Sequence, residues 1–327
     1  MVRRLQDNWP ECQITWVIGR LEHSLLEGID GVEFIVFNKR DMRTSLRSLT
    51  EQMDGRHYDV LLHMQAALRA SRLARRIPAD IRLGYDRARA RDFQWLFSDT
   101  QIDAIPRQHV MQALMGFADR LGAAATPLRW DIPVPQAARD AVTTQLNTDA
   151  PYLVIVPCSS QRARNFRNWP AESCAAAAEH AAERHGLQVV LAGGNSALER
   201  EYADRITRLS RIPVVDLVGK TSLKEMLALL AGAQALISPD TGPVHMAGTV
   251  GTPVVGLYAS SNPERTGPID PRFTVNHYPQ ALLEDSGKTV AQARWGQRVR
   301  DPQVMLRIPV EDVCAKIDQV MAEARQL

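Results

Sequence analysis

The residues Ser238-Pro239-Asp240-Thr241-Gly242-Pro243-Val244-His245 combine types and spacing that can hold an anion. An apolar run ends at a polar Asp-Thr-Gly turn, and Pro243 suits the first position of a helix. The first-turn amides of such a helix point back into the turn, and with the helix dipole they favour negative charge. Thr241 adds a hydroxyl donor, Gly242 allows close backbone approach, and His245 falls where it can face the same site. Asp-Thr-Gly alone would be more simply read as a helix cap. With His245 and a strand in front, a phosphate site is the better reading.

A second group leaves the end of the strand expected at 152–157: Cys158-Ser159-Ser160-Gln161-Arg162-Ala163-Arg164-Asn165-Phe166-Arg167-Asn168-Trp169-Pro170. Two hydroxyls and three arginines suit phosphate, since guanidinium grips it with paired N–H donors. A solvated basic loop is the usual fate of such a run, but this one should share a sheet edge with Asp-Thr-Gly. Cys158 opens this loop and is a minor candidate for touching the ligand. The third group, Gly193-Gly194-Asn195 followed by Glu199 and Glu201, is a weaker signal: glycines admit a ligand and an acid could bind ribose hydroxyls. In the first half, Arg69, Arg72, Arg75 and Arg76 lie on a helix, Arg82, Arg87, Arg89 and Arg91 follow, and Lys39, Arg40 and Arg43 form a separate cluster. A helical charge run is usually a solvated face. The loop arginines after Gly84 are better candidates for an anionic substrate. Nucleic acid fits poorly, with no recognised motif and no interleaved aromatic platform.

Positioning such groups requires strands that end at one edge. Short β-rich runs alternate with helical segments almost throughout, the pattern of an α/β protein with parallel sheets. Strands are expected at 13–19, 33–37, 58–63 and 81–84, with helices at 43–53, 67–77 and 108–121. A Pro-containing stretch, 123–151, holds the domain boundary. Beyond it come strands at 152–157, 188–192, 213–218, 235–238 and 252–258, with helices from Pro170 to Gly186 and at 198–209, 243–250 and 310–324. Ser222-Leu223-Lys224-Glu225 is a capping box. The domains expected are 1–145, 146–308 and a C-terminal helix at 309–327.

The 327 residues suffice for two cores, and 45% hydrophobic with 23% charged is a globular balance. A net charge of +2 offers no bulk polycation, so a basic surface must arise from clustering. Cys12, Cys158, Cys174 and Cys314 are scattered without Cys-x-x-Cys spacing, which argues for free thiols in a reducing compartment and against a zinc site or disulfide frame. No run of about 18 apolar residues exists and no signal peptide opens the sequence, so a cytoplasmic protein, at most peripheral, is expected.

Asp240-Thr241-Gly242-Pro243-x-His245-x-Ala247, Gly251-Thr252-Pro253-Val254-Val255, Arg167-x-Trp169-Pro170 and Asn262-Pro263…Thr266-Gly267-Pro268 together resemble the lipopolysaccharide heptosyltransferases of glycosyltransferase family 9. Residues 58–65 with 67–73, and 85–92, look most like heptosyltransferase I. The resemblance implies a GT-B fold, two Rossmann-like domains with parallel sheets facing across a cleft. It implies ADP-heptose as donor on the C-terminal domain and Kdo–lipid A as acceptor on the other, at the cytoplasmic face of the inner membrane. Ser159, Ser160 and Arg167 would meet the diphosphate, Asp240, Thr241, Gly242 and His245 the sugar and phosphates, and Glu199 the nucleoside. Lys39, Arg40 and Arg91 would meet the acceptor. The reaction would be an inverting displacement needing no metal or other cofactor. Two departures stand out: Arg167 replaces a usual lysine, and the family's N-terminal strand with its Ser-x-x-Gly-Asp turn has no counterpart, Met1 falling inside what reads as a helix. That Asp is the presumed base, so the chain as it stands is expected to be inactive. A non-catalytic nucleotide-sugar-binding protein and a sugar-nucleotide epimerase remain as alternatives.

Overall fold

The computed structural model describes residues 1–146, 150–159 and 165–325, which form two compact units, Met1–Pro133 and Val134–Leu327. The first unit runs α1 (Val2–Asn8), β1 (Ile14–Gly19), α2 (Arg20–Leu26), β2 (Val32–Phe37), α3 (Met42–Gln52), β3 (Tyr58–Leu62), α4 (Leu68–Ala74), β4 (Ala79–Gly84), β5 (Thr100–Gln101) and α5 (Val110–Arg120). Its strands form two parallel sheets, β1-β2 and β3-β4-β5, with no ladder between them among the described residues. They still share a core: Ile35 and Phe37 of β2 cluster with Leu49, Met53, Leu73 and Ile77, and Val17 and Leu61 pack against that cluster. Only Ile18 in β1, and no residue of β3, is fully buried.

The second unit runs α6 (Gln136–Leu146), β6 (Tyr152–Ile155), α7 (Ala171–His185), β7 (Gln188–Leu191), α8 (Ala197–Leu209), β8 (Val214–Asp216), α9 (Leu223–Gly232), β9 (Ala235–Pro239), α10 (Gly242–Thr249), β10 (Val254–Tyr258), α11 (Pro263–Thr266), β11 (Val275–Asn276), α12 (Tyr278–Ser286) and α13 (Val310–Ala324). One sheet in the order β11-β10-β9-β6-β7-β8 carries it, every pairing parallel. From β6 the chain proceeds outward to β7 and β8, then returns to β9 on the other side and proceeds to β10 and β11. The order therefore reverses between β6 and β9. In open α/β sheets that switch point, beyond the carboxyl ends of the strands, is where ligands bind.

The units divide between Pro133 and Val134, earlier than the expected boundary at 145, because α6 buries Ala138, Val142 and Leu146 and packs on α9 of the second unit. Helix α13 is not an appendage: Val313, Ile317, Val320 and Met321 belong to the second unit's core. Helices α2 and α12 escaped the sequence reading, one for its seven-residue length and the other for its weak apolar stripe. The expected capping box is present, Ser222 accepting from the Glu225 amide at 3.2 Å and Glu225 from the Ser222 amide at 2.6 Å. Pro170 takes the cap position of α7 rather than its first turn, and Gly186 ends that helix at φ +66°. Among the described residues, no helix is long and apolar enough to cross a membrane.

Candidate functional site

Strand β6 delivers Ser159, and β9 delivers Asp240, to the two sides of the switch point. The loop between β6 and α7 is fixed at its far end by Trp169, fully buried, whose Nε1 donates to the Ile308 carbonyl at 3.1 Å. That anchor brings Arg167 across to the neighbouring strand. Its Nη1 donates to the Asp240 carbonyl at 2.6 Å and lies 3.3 Å from Oδ2, while Nε donates to Asn165 Oδ1 at 3.0 Å. Asn165 Oδ1 also accepts from the Ser159 hydroxyl at 2.8 Å, and Asn168 Oδ1 from the Ser159 amide at 2.9 Å. Ser159, Arg167 and Asp240 thus form one hydrogen-bonded chain, with Arg167 and Asp240 both buried. Asp240 Oδ2 further accepts from Thr266 Oγ1 at 3.4 Å and stands 3.9 Å from Arg298 Nη2.

This network makes Arg167 less a free clamp than the brace that aims the Asp240 turn, with its positive charge held at the sheet edge. Helix α10 begins directly after that turn, with Thr241 as an extended N-cap that makes no side-chain cap hydrogen bond. A methyl group added to Gly242 would meet no protein atom within 4 Å. The space in front of the helix start is therefore open to a ligand, bordered by the Thr241 hydroxyl. His245 is exposed one turn further on. Ser160 lies outside the described residues.

Two of the residues singled out from sequence are engaged within the protein. Glu199 turns back onto its own helix: its carboxylate accepts from the Gly194 amide at 2.7 Å, the Ser196 amide at 3.2 Å and the Ser196 hydroxyl at 2.5 Å. The Gly193-Gly194 pair makes room for that carboxylate, since a Cβ on Gly194 would lie 2.9 Å from Oε2. Cys158 faces the interior, and burial, with the charges of Glu199 and Glu201 adding to it, pushes its thiol up to about 12. It is no ligand group. Asn165, Asn168, Thr266, Arg298 and Tyr258 were not singled out from sequence. Tyr258 is fully buried, burial and then the Asp240 charge raise its phenol, and its hydroxyl donates to the Thr266 carbonyl at 3.3 Å. A signal for Thr266 was present in the motif Thr266-Gly267-Pro268; the amides beside Arg167 gave none.

In the first unit, Lys39 and Arg40 follow the carboxyl end of β2, and Arg91 lies in the segment between β4 and β5. All three are exposed, and Lys39 pairs with Glu22. Arg89 is committed inside the protein, bound to Asp86 and to Gln108 Oε1 at 2.6 Å.

Comparison with known proteins gives this geometry a family. The model of "Glycosyltransferase family 9 (heptosyltransferase)" matches residues 46–292. The lipopolysaccharide core heptosyltransferase OpsX of Haemophilus influenzae is 31% identical over 321 residues, 98% of this chain and 91% of that protein. The chain belongs to glycosyltransferase family 9. Lipopolysaccharide heptosyltransferase 3 of Escherichia coli K12 is 24% identical across 99% of the chain and 93% of its own length. A family 9 glycosyltransferase structure from Veillonella parvula superposes with a TM-score of 0.79 at 20% identity, covering 98% of this chain and 92% of the other. E. coli heptosyltransferase WaaC with ADP gives 0.72 at 20% identity, covering 98% and 93%. The fold is accordingly the GT-B type, and the protein is a glycosyltransferase of the heptosyltransferase family.

Proposed function

We propose that this family 9 enzyme transfers heptose from ADP-heptose to the Kdo–lipid A inner core of lipopolysaccharide, with inversion at the anomeric carbon. The observation that supports it most is the Ser159–Arg167–Asp240 network at the switch point, with open space before Gly242. Relatives add to it: the E. coli enzyme WaaC has structures with ADP and with ADP-2-deoxy-2-fluoro heptose.

In this reading the diphosphate lies against the start of α10. Negative charge grows on the departing diphosphate as the sugar bond breaks. The helix N-terminus, the Thr241 hydroxyl and the Arg167 charge stand at the place where that charge grows and stabilise it; the Ser159 hydroxyl joins them by turning from Asn165 Oδ1 to the diphosphate. His245 and Asp240 contact the sugar or its phosphates. Ser160 joins Ser159 at the diphosphate by its place in the motif. Glu199 keeps the β7 edge in shape beside the nucleoside. Lys39, Arg40 and Arg91 recognise the carboxylates and phosphates of the acceptor, whose lipid places the enzyme at the cytoplasmic face of the inner membrane. Attack by the acceptor hydroxyl on the face opposite the diphosphate inverts the centre in one displacement: the new glycosidic bond forms as the bond to the diphosphate breaks, ADP leaves, and the hydroxyl proton passes to a general base that none of these residues supplies.

The test has two arms. Disrupting the gene in its host should leave lipid A carrying Kdo and no heptose, read by mass spectrometry; a heptose-bearing core would overturn the proposal. Calorimetric titration of the purified chain with ADP should show binding that Asp240→Asn weakens about tenfold or more, a loss of roughly 1.4 kcal/mol or more. Equal affinity in the two proteins would remove the site assignment.

A further inference from the structure

Helices α7 and α13 pack together, and where they meet three metal-ligating side chains converge that have no part in the sugar-nucleotide site. Small side chains on α7, Ala177, Ala178 and Ala181 among them, are completely buried and let α13 approach closely. At the end of α7, His180 Nε2 and His185 Nε2 both address one oxygen of Asp318 on α13, at 2.8 Å and 2.6 Å. The three ligand atoms all lie within 4.8 Å of one another. The two imidazole rings stand edge to face with centroids 5.9 Å apart. The His185 side chain is 7% exposed and its Nδ1 is buried with no hydrogen-bond partner, so the Asp318 side alone fixes the ring.

We propose that His180, His185 and Asp318 form a binding site for a divalent transition-metal ion, with zinc as the best match, that staples α13 to α7. Two imidazoles and a carboxylate are a donor set zinc accepts, at about 2.0–2.2 Å from the metal, with water in a fourth, open position. Four-coordinate geometry at those bond lengths separates ligand atoms by about 3.4 Å. The two nitrogen–oxygen contacts must therefore open by roughly 0.6–0.8 Å, within the reach of side-chain rotation. With 25% of His180 and 37% of Asp318 exposed, the ion can enter from solvent. Arg184 Nε lies 3.5 Å from the same Asp318 oxygen, on a side chain 66% exposed that can swing away; its charge opposes the metal's. The site lies on the helix layer and gives the transfer reaction no metal.

Zinc titration of the chelator-treated full chain, in competition with a chromophoric chelator, tests the proposal. One equivalent should bind at micromolar concentration or below and raise the melting temperature. Cobalt in its place should show the visible bands of a four-coordinate ion. His180→Gln and Asp318→Asn should each weaken zinc binding about tenfold or more, and Arg184→Ala should strengthen it severalfold. His180 is the more exposed histidine, so His180→Gln preserves the fold if Asp318→Asn does not. Zinc affinity that is absent, or unchanged in His180→Gln and Arg184→Ala, would overturn the proposal. A cluster that is only a hydrogen-bonded clasp would instead lose stability in His180→Gln and Arg184→Ala alike, whether or not zinc is present.

Discussion

Every residue of β6, β9 and β10 in the second unit is buried, whereas β1 and β3 of the first unit bury Ile18 alone. The second unit's sheet is continuous over six strands; the first unit's is in two pieces. The candidate sites follow the same division. Asp240, Arg167 and Ser159 are buried and tied together, while Lys39, Arg40 and Arg91 stand exposed. A site built from buried, mutually satisfied groups is held in shape before its ligand arrives, and preorganisation of this kind favours transfer chemistry. Exposed basic side chains on segments after strands, the ones proposed for the acceptor, can instead adjust to a large, variably charged partner.

The largest effect should separate these two kinds of residue. Asp240→Ala leaves the Arg167 charge buried without its carboxylate and should cost about 4 kcal/mol of stability in denaturant unfolding of the second unit. Arg40→Ala removes an exposed side chain and should change stability by no more than about 0.5 kcal/mol. Comparable losses in both would erase the distinction between a built site and an open one.

The same physics explains what could be read from sequence. The second unit's strands are apolar runs because parallel strands are covered on both faces, and runs such as Leu153–Val156 announce that directly. Asp240, Thr241 and Gly242 were legible because strand, turn and helix start follow one another in the chain. The partners that hold Asp240 were not, since Arg167 lies 73 positions away and Thr266 lies 26 away. The capping role of Glu199 was also legible, since Ser196 at the cap position three residues before it is the capping-box signature. The helix α6 hid among prolines because its stripe, Ala138, Val142 and Leu146, is thin.

A smaller effect should mark the first unit. His63, just after β3, is 4% exposed, and burial lowers its imidazole from 6.5 to about 4, with a weaker opposing hydrogen bond at Gln65. The folded chain then holds fewer protons than the unfolded one between pH 4 and 6.5. Stability from this group is complete above about pH 6.5 and is lost as pH falls toward 4, by at most about 3 kcal/mol. His63→Gln should flatten that part of the pH dependence, measured as the difference between wild-type and variant unfolding curves at pH 7 and pH 4.5. A flat difference would show that the sparse packing around β3 admits water to His63, making the first unit looser still.

The smallest effect sharpens the comparison inside the second unit, between two glycines at the same sheet edge. Gly194 sits against Glu199, and an added Cβ would lie 2.9 Å from one carboxylate oxygen and 3.1 Å from the other. That carboxylate is not loose, because Ser196 and the Gly194 amide hold both oxygens. Gly194→Ala must therefore disturb the cap of α8 and should cost about 1 kcal/mol, the usual worth of a helix cap. Gly242 opens α10, the helix proposed to face the diphosphate, and an added Cβ there meets no protein atom within 4 Å. Its φ is not in the left-handed region, so alanine is unstrained, and as the better helix former it should leave stability equal or raised by less than about 1 kcal/mol. The added methyl would occupy the space proposed for the diphosphate in front of the α10 amides, so ADP affinity should fall about tenfold, roughly 1.4 kcal/mol. Thermal unfolding and ADP titration of the two variants read both quantities. Stability lost with affinity intact in Gly242→Ala would mean that the edge before α10 is filled by protein and that the open part of the built site lies elsewhere.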